Sequence, residues 1–248
     1  MGHPHRQGAA HVLRKDPVLP TAREFVAVLR TGPPRARFRS PPGEAGRALG
    51  MCTAVMADFS PVELLELFQR AQNEFTDRVD AVAPDQWEDE ALPGWTVADL
   101  VAHLVTEALW VPPLLAGEPV LEGRFPEDTS DLLGDDPFTG WESAADNALS
   151  AFAEDDALVR TVHLTRGPTP ATQYILEMTA DLTVHAWDLA RATDGDTDLD
   201  GELVTATLVF AEQLPEDGVP GLFDPPLVVS AAADPQTRLL ARFGRKST

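Results

Sequence analysis

The sequence predicts a mainly α-helical protein, an up-and-down bundle with extra helices at its C-terminal end and at most a short β ribbon. Three observations carry this. Long stretches repeat apolar residues at helical spacing, several of them open or close on recognisable cap residues, and strand signals are few.

The first helix is expected over 61–82. Ser60 suits the N-cap, Pro61 the first helical position, and Glu63 completes a capping box. Leu64, Leu67, Phe68, Ala71, Phe75 and Val79 then recur on one face. The second is expected over 96–115, with Thr96 as cap, Asp99 at the third helical position, and Val97, Leu100, Val101, Leu104, Val105 and Ala108 as its apolar stripe. Pro112 and Pro113 should kink or end it. A third helix is expected over 141–154, a fourth over 172–193 ended by Gly195, a fifth over 201–214, and a tail helix over 235–243. Residues 159–165 and 227–230 carry weak strand signals and could pair as a ribbon. No internal repeat is present.

The 248-residue chain is 44% hydrophobic, enough for a substantial core, and carries a formal charge of −21. That charge is unevenly spread. Residues 1–56 hold nine Lys/Arg against three acids, a net +6, and the remainder is −27. The leader is rich in Pro, Gly and Arg and lacks the apolar core of a secretory signal, so it is expected to be a disordered arm preceding a folded unit over 57–248. Met51 or Met56 would be a natural start for the folded body, and the alternative is a basic tail folding back on it. An acidic body repels nucleic acid and anionic lipid, and neither is expected as a partner. No uninterrupted apolar run is long enough to predict a membrane span. The single cysteine, Cys52, excludes an internal disulfide framework and fits a reducing, cytoplasmic setting.

Few residues offer chemistry. His3, His5 and His11 lie in the leader, and His163 is expected on a surface strand. His185 follows Asp181 by four residues on the fourth helix, so the two side chains share a face, beside Tyr174, Met178 and Leu189. Two readings stand: a self-satisfied ion pair, or two metal ligands one turn apart. On its own helix His103 lies off the main stripe, with Asp99 and Glu107 at four residues to either side, and reads as exposed. The acidic stretches 128–136 and 154–156 read as solvated loops without EF-hand spacing. No nucleophile elbow, phosphate-binding loop or dinucleotide fingerprint occurs.

Three segments look familiar as a set. Pro84-Asp85-Gln86-Trp87 precedes Leu92-Pro93-Gly94-Trp95-Thr96-Val97-Ala98-Asp99-Leu100-Val101-Ala102-His103-Leu104. Asp181-Leu182-Thr183-Val184-His185-Ala186-Trp187-Asp188-Leu189-Ala190 follows. The tail holds Asp234-Pro235 and Leu239-Leu240-Ala241-Arg242-Phe243-Gly244-Arg245. Together they resemble the DinB/YfiT-like superfamily, and within it the metal-binding proteins similar to the N-terminal domain of mycothiol-dependent maleylpyruvate isomerase, over roughly residues 58–245.

The resemblance implies a DinB-like four-helix bundle with one divalent metal held by His103, Asp181 and His185. Such a donor set suits zinc, and also iron or nickel. Glu107 or Asp188 could accept the outer N–H of a ligand histidine. The resemblance further implies a small-molecule thiol, mycothiol, activated by the metal toward an electrophile, in an S-transferase or isomerase. The alternative is a non-catalytic metal-binding module, such as a homodimer, with sensing or storage duties. Two departures stand out. Leu92 occupies a place where many relatives have cysteine, which is not one of the inferred ligands. Only about 34 residues follow Leu214, fewer than the separate C-terminal domain of the isomerases needs, which counts against maleylpyruvate isomerisation itself.

Overall fold

The computed structural model describes residues 59–121, 124–126, 128–214 and 225–247. The basic leader therefore lies outside the described residues. In chain order the elements are α1 (Pro61–Asp80), β1 (Glu90–Leu92), β2 (Trp95–Thr96), α2 (Val97–Leu115), α3 (Thr129–Leu133), α4 (Pro137–Phe152), a 3-10 turn (Ala157–Val159), β3 (Thr161–Leu164), β4 (Gly167–Pro170), α5 (Ala171–Ala192), α6 (Gly201–Ala211) and α7 (Pro235–Arg242). The mainly helical class stands as the sequence predicts.

Four long helices make the bundle. α1 packs chiefly on α5 and then on α4, and α2 packs chiefly on α4 and also on α5. α1 and α2 thus occupy opposite corners, and the connection between them carries the β1–β2 hairpin. Helix starts follow local chemistry. The Ser60 backbone N–H donates to Glu63 Oε2 at 2.7 Å, closing the predicted capping box. Thr96 and Asp99 form a second such box at the head of α2, through Thr96 N–H to Asp99 Oδ2 (3.0 Å) and Asp99 N–H to Thr96 Oγ1 (3.1 Å). Pro112 and Pro113 fall in the last turn of α2, which ends two residues later at Leu115.

Three expectations are corrected. The strand over 161–164 pairs antiparallel with 167–170 across a Thr165-Arg166 turn, not with 227–230. Gly167 holds φ +123°, a backbone region that favours glycine, which makes this local return feasible. Leu227 instead donates its N–H to the Ala241 carbonyl, joining that segment to α7. The acidic stretch 128–136 contains α3, whose Leu133 is buried and whose Thr129 Oγ1 donates to Asp99 Oδ1 at 2.9 Å. The third long helix begins at Pro137 rather than at residue 141, because proline suits a first helical turn. Residues 154–156 are exposed, and His163 is exposed on β3, both as expected.

Phe68, Phe75, Trp141 and Phe152 fill the centre of the α1–α4 contact. Phe75 and Trp141 meet edge to face at 4.8 Å, and Trp141 Nε1 donates to Thr76 Oγ1. α6 and α7 form an annex around Val204, Leu208, Ala211 and Leu239. α2 is long and apolar enough to cross a membrane by length and composition, yet most of it is buried within the bundle.

The cap at the head of α2 sets where His103 sits. Thr96→Ala should lower unfolding free energy by about 1 kcal/mol in urea denaturation, with an unchanged slope; unchanged stability would contradict the capping assignment.

Candidate metal centre

The site begins with a turn. Pro93 and Gly94 connect β1 to β2, and Gly94 takes φ +82°, as the third residue of a proline-led type II turn requires. The turn brings in Trp95, which is buried and stands edge-on to the His103 ring with centroids 5.3 Å apart. Thr96 then starts α2, and His103 follows in its second turn.

His103 is 5% exposed, which corrects the sequence expectation of an exposed residue. A helical wheel separates faces only when a helix has a solvated side. α2 is enclosed by α4, α5 and the hairpins, and every residue from Leu100 to Thr106 is buried.

Opposite His103 lies the α5 pair. His103 Nε2 is 3.2 Å from Asp181 Oδ2, and His185 Nε2 is 3.4 Å from Asp181 Oδ1. Each carboxylate oxygen thus faces one imidazole, and the two rings stand 5.3 Å apart at 78°. One ligand atom from each of the three residues lies within 4.8 Å of the others. The histidine side chains are 3% and 8% exposed and that of Asp181 is 32% exposed, so the cluster opens toward solvent on the carboxylate's side.

A second layer holds the first. His185 Nδ1 is 3.0 Å from Asp188 Oδ2, and Arg245 Nη2 donates to that same oxygen at 2.8 Å. Arg245 also donates from Nη1 to the Phe243 carbonyl. Of the two acceptors that the sequence offered, Asp188 is the one that meets a ligand histidine. Arg245 entered only as part of a tail motif. Nothing in local spacing joins it to Asp188, which lies 57 residues away.

Charge follows from this geometry. Burial pushes the Asp181 carboxyl up, but the His185 and His103 imidazoles outweigh burial and hold it well below the usual carboxylate range. Burial lowers His185, but Asp181 and then Asp188 lift it to about 9. Burial also raises Asp188, whereas Arg245 and His185 bring it down to about 2. In the metal-free chain, the proton held on His185 supplies positive charge beside the Asp181 and Asp188 carboxylates. A divalent cation can take its place: two imidazole nitrogens and one carboxylate oxygen suit zinc, iron or nickel, and leave positions for further ligands.

Two more groups line the same seam between α2 and α5. Glu107 lies one turn beyond His103 and is half-buried. Burial pushes its carboxyl up to about 7, with Asp181 and Glu177 adding to the shift and His103 and His185 opposing it. Tyr174 lies seven residues before Asp181 on α5 and is 4% exposed. Its hydroxyl has no hydrogen-bond partner among the described residues.

A helical bundle with a two-histidine, one-aspartate cluster between two of its helices defines the class. A family description, the mycothiol maleylpyruvate isomerase N-terminal domain, matches residues 89–190, which contain all three cluster residues. The proteins MT0763 and Rv0738, from two strains of Mycobacterium tuberculosis, are each 33% identical over 151 residues, spanning 59% of this chain and 76% of theirs. A crystal structure of the mycothiol-dependent maleylpyruvate isomerase is similar with a TM-score of 0.52 and 22% identity, covering 63% of this chain and 70% of the other. A histidine-to-alanine mutant of that isomerase gives a TM-score of 0.51 with the same coverage. The chain belongs to the family of the mycothiol maleylpyruvate isomerase N-terminal domain.

Removing Arg245 would leave a buried carboxylate short of a donor. Arg245→Ala should destabilise the metal-free protein by about 2 kcal/mol in thermal or urea unfolding; a loss below about 0.5 kcal/mol, the level of a neutral surface change, would contradict this.

Proposed function

We propose that this protein holds one divalent cation on His103, Asp181 and His185 and uses it to bind a low-molecular-weight thiol, mycothiol, for S-transfer to an electrophilic small molecule or for isomerisation. The single observation that carries the reading is the cluster itself: three donor groups from two helices converge within 4.8 Å, open on one side and braced on the other by Asp188. The family supports the thiol, and the donor set puts zinc first among the metals. A divalent cation at such an open site acts as a Lewis acid that lowers the pKa of a thiol and favours its thiolate form.

The chain's own residues do the rest. Asp188 accepts the Nδ1 proton of His185, which leaves Nε2 as the donor directed at the cluster. Trp95 fixes the His103 ring from behind. Apolar packing around both histidines limits water to the Asp181 side, where thiol and electrophile would enter. The cytoplasm, where small thiols stay reduced, is the compartment this reading implies.

The test uses cobalt-substituted protein titrated with mycothiol. Thiolate-to-cobalt charge-transfer absorption is expected, and no spectral change at saturating thiol would favour a non-catalytic metal-binding module. Chelator should lower the melting temperature of the metal-loaded protein by several degrees, because a ligand bound only to the folded state stabilises it; an unchanged value would indicate a metal-free ion bridge.

A further inference from the structure

The brace behind His185 is closed from outside the segment that carries the ligands. Asp188 is fully buried, and among the described residues two side chains meet it, His185 and Arg245. Arg245 Nη2 lies 2.8 Å and Nε 3.3 Å from Oδ2, and Nε also lies 3.4 Å from Oδ1. One edge of the guanidinium thus spans the carboxylate, which fixes the plane of the acid as well as balancing its charge. That plane sets the oxygen that His185 Nδ1 meets at 3.0 Å.

Arg245 arrives there by a local device. α7 ends in a Schellman turn, in which the Gly244 N–H donates to the Ala241 carbonyl at 3.1 Å and the Arg245 N–H donates to the Leu240 carbonyl at 2.9 Å. Gly244 holds φ +77°, the left-handed conformation this turn needs directly before Arg245. Arg245 Nη1 donates back to the Phe243 carbonyl at 2.7 Å, which ties the guanidinium to the same turn. α7 itself is held at both ends. Gln236 donates to the Thr197 carbonyl and accepts the Leu199 N–H, and Arg242 donates to the carbonyls of Ala211 and Leu214. The tail is therefore docked on α6 and its preceding loop, and its last bond is made on the brace of the metal centre.

We propose that Arg245 is a positioning residue for the metal, and that the C-terminal tail and the cation bind cooperatively. A cation on His185 Nε2 needs the ring held in one orientation, and it strengthens the hydrogen bond that Nδ1 donates to Asp188. An undocked tail would leave Asp188 buried against His185 alone, with nothing to hold the plane of its carboxylate. The docked tail thus tightens metal binding. By thermodynamic reciprocity the metal tightens the docking of the tail by the same factor. This inference rests on the metal reading above, and adds to it a control exerted from outside the segment shared with the family.

The experiment measures zinc affinity of the full chain by competition with a chromophoric chelator, and amide hydrogen exchange of residues 240–245 with and without zinc. Arg245→Ala should weaken zinc binding about tenfold or more, and Arg245→Lys, which keeps a cation facing Asp188, should recover part of the loss. Gly244→Val should act like Arg245→Ala although the arginine is retained, because a β-branched residue is strained at φ +77°. Phe75→Leu, a core change on α1 away from the network, controls for lost stability and should keep wild-type affinity. In wild type, zinc should slow exchange through tail undocking by a factor comparable to the affinity lost in Arg245→Ala, and Asp188→Asn should abolish that protection. Zinc affinity in Arg245→Ala within about twofold of wild type, or tail exchange in wild type that ignores zinc, would overturn the coupling and leave the metal reading intact. Absence of zinc binding by wild type would overturn both.

Discussion

One half-buried carboxylate organises the centre of this bundle. Asp181 lies between α2 and α5 against two buried imidazoles, where an unpaired charge would be expensive. It is tolerable because an imidazole from each helix faces one of its oxygens. The same logic repeats one layer out, where Asp188 carries no exposure at all and is met by His185 and by Arg245 from the C-terminal tail. The α2–α5 interface is therefore set by charge as well as by packing, and sliding either helix by a turn would strand a carboxylate. That constraint explains why a distant arginine is drawn into the site.

How far the site was legible depended on whether its contacts are local. Asp181 and His185 are four residues apart on one helix, so spacing alone placed them side by side. Thr96 and Asp99 announced the start of α2 in the same way, as Ser60 and Glu63 did for α1. His103 failed this test, because wheel reasoning needs a helix with one wet face and α2 has almost none; only the family resemblance joined it to the pair. Asp188, three residues from His185, was within reach of spacing arguments. Arg245 was not, since no short-range rule links it to Asp188. The hairpin over 90–96 was hidden because its strands are two and three residues long, too short for alternation to show, although Pro93-Gly94 marks the turn. The 161–170 ribbon is half legible: partial alternation over 159–165 marks its first strand, whereas prolines at 168 and 170 mask the pattern of the second.

The family match and the charge network do not cover the same ground. Residues 89–190 supply the hairpin, α2 and α5, hence the cluster and its brace Asp188. Arg245, which completes that brace, comes from beyond them, and α1 and α7 pack outside the matched segment as well. The part of the chain that could bind a metal is thus the part shared with the family, and the rest holds it in register.

Elemental analysis of wild type beside His185→Ala tests the central claim most directly. One equivalent of divalent metal in wild type, with most of it lost in a variant that keeps its helical content, is the predicted result. Full metal stoichiometry in His185→Ala would contradict the account.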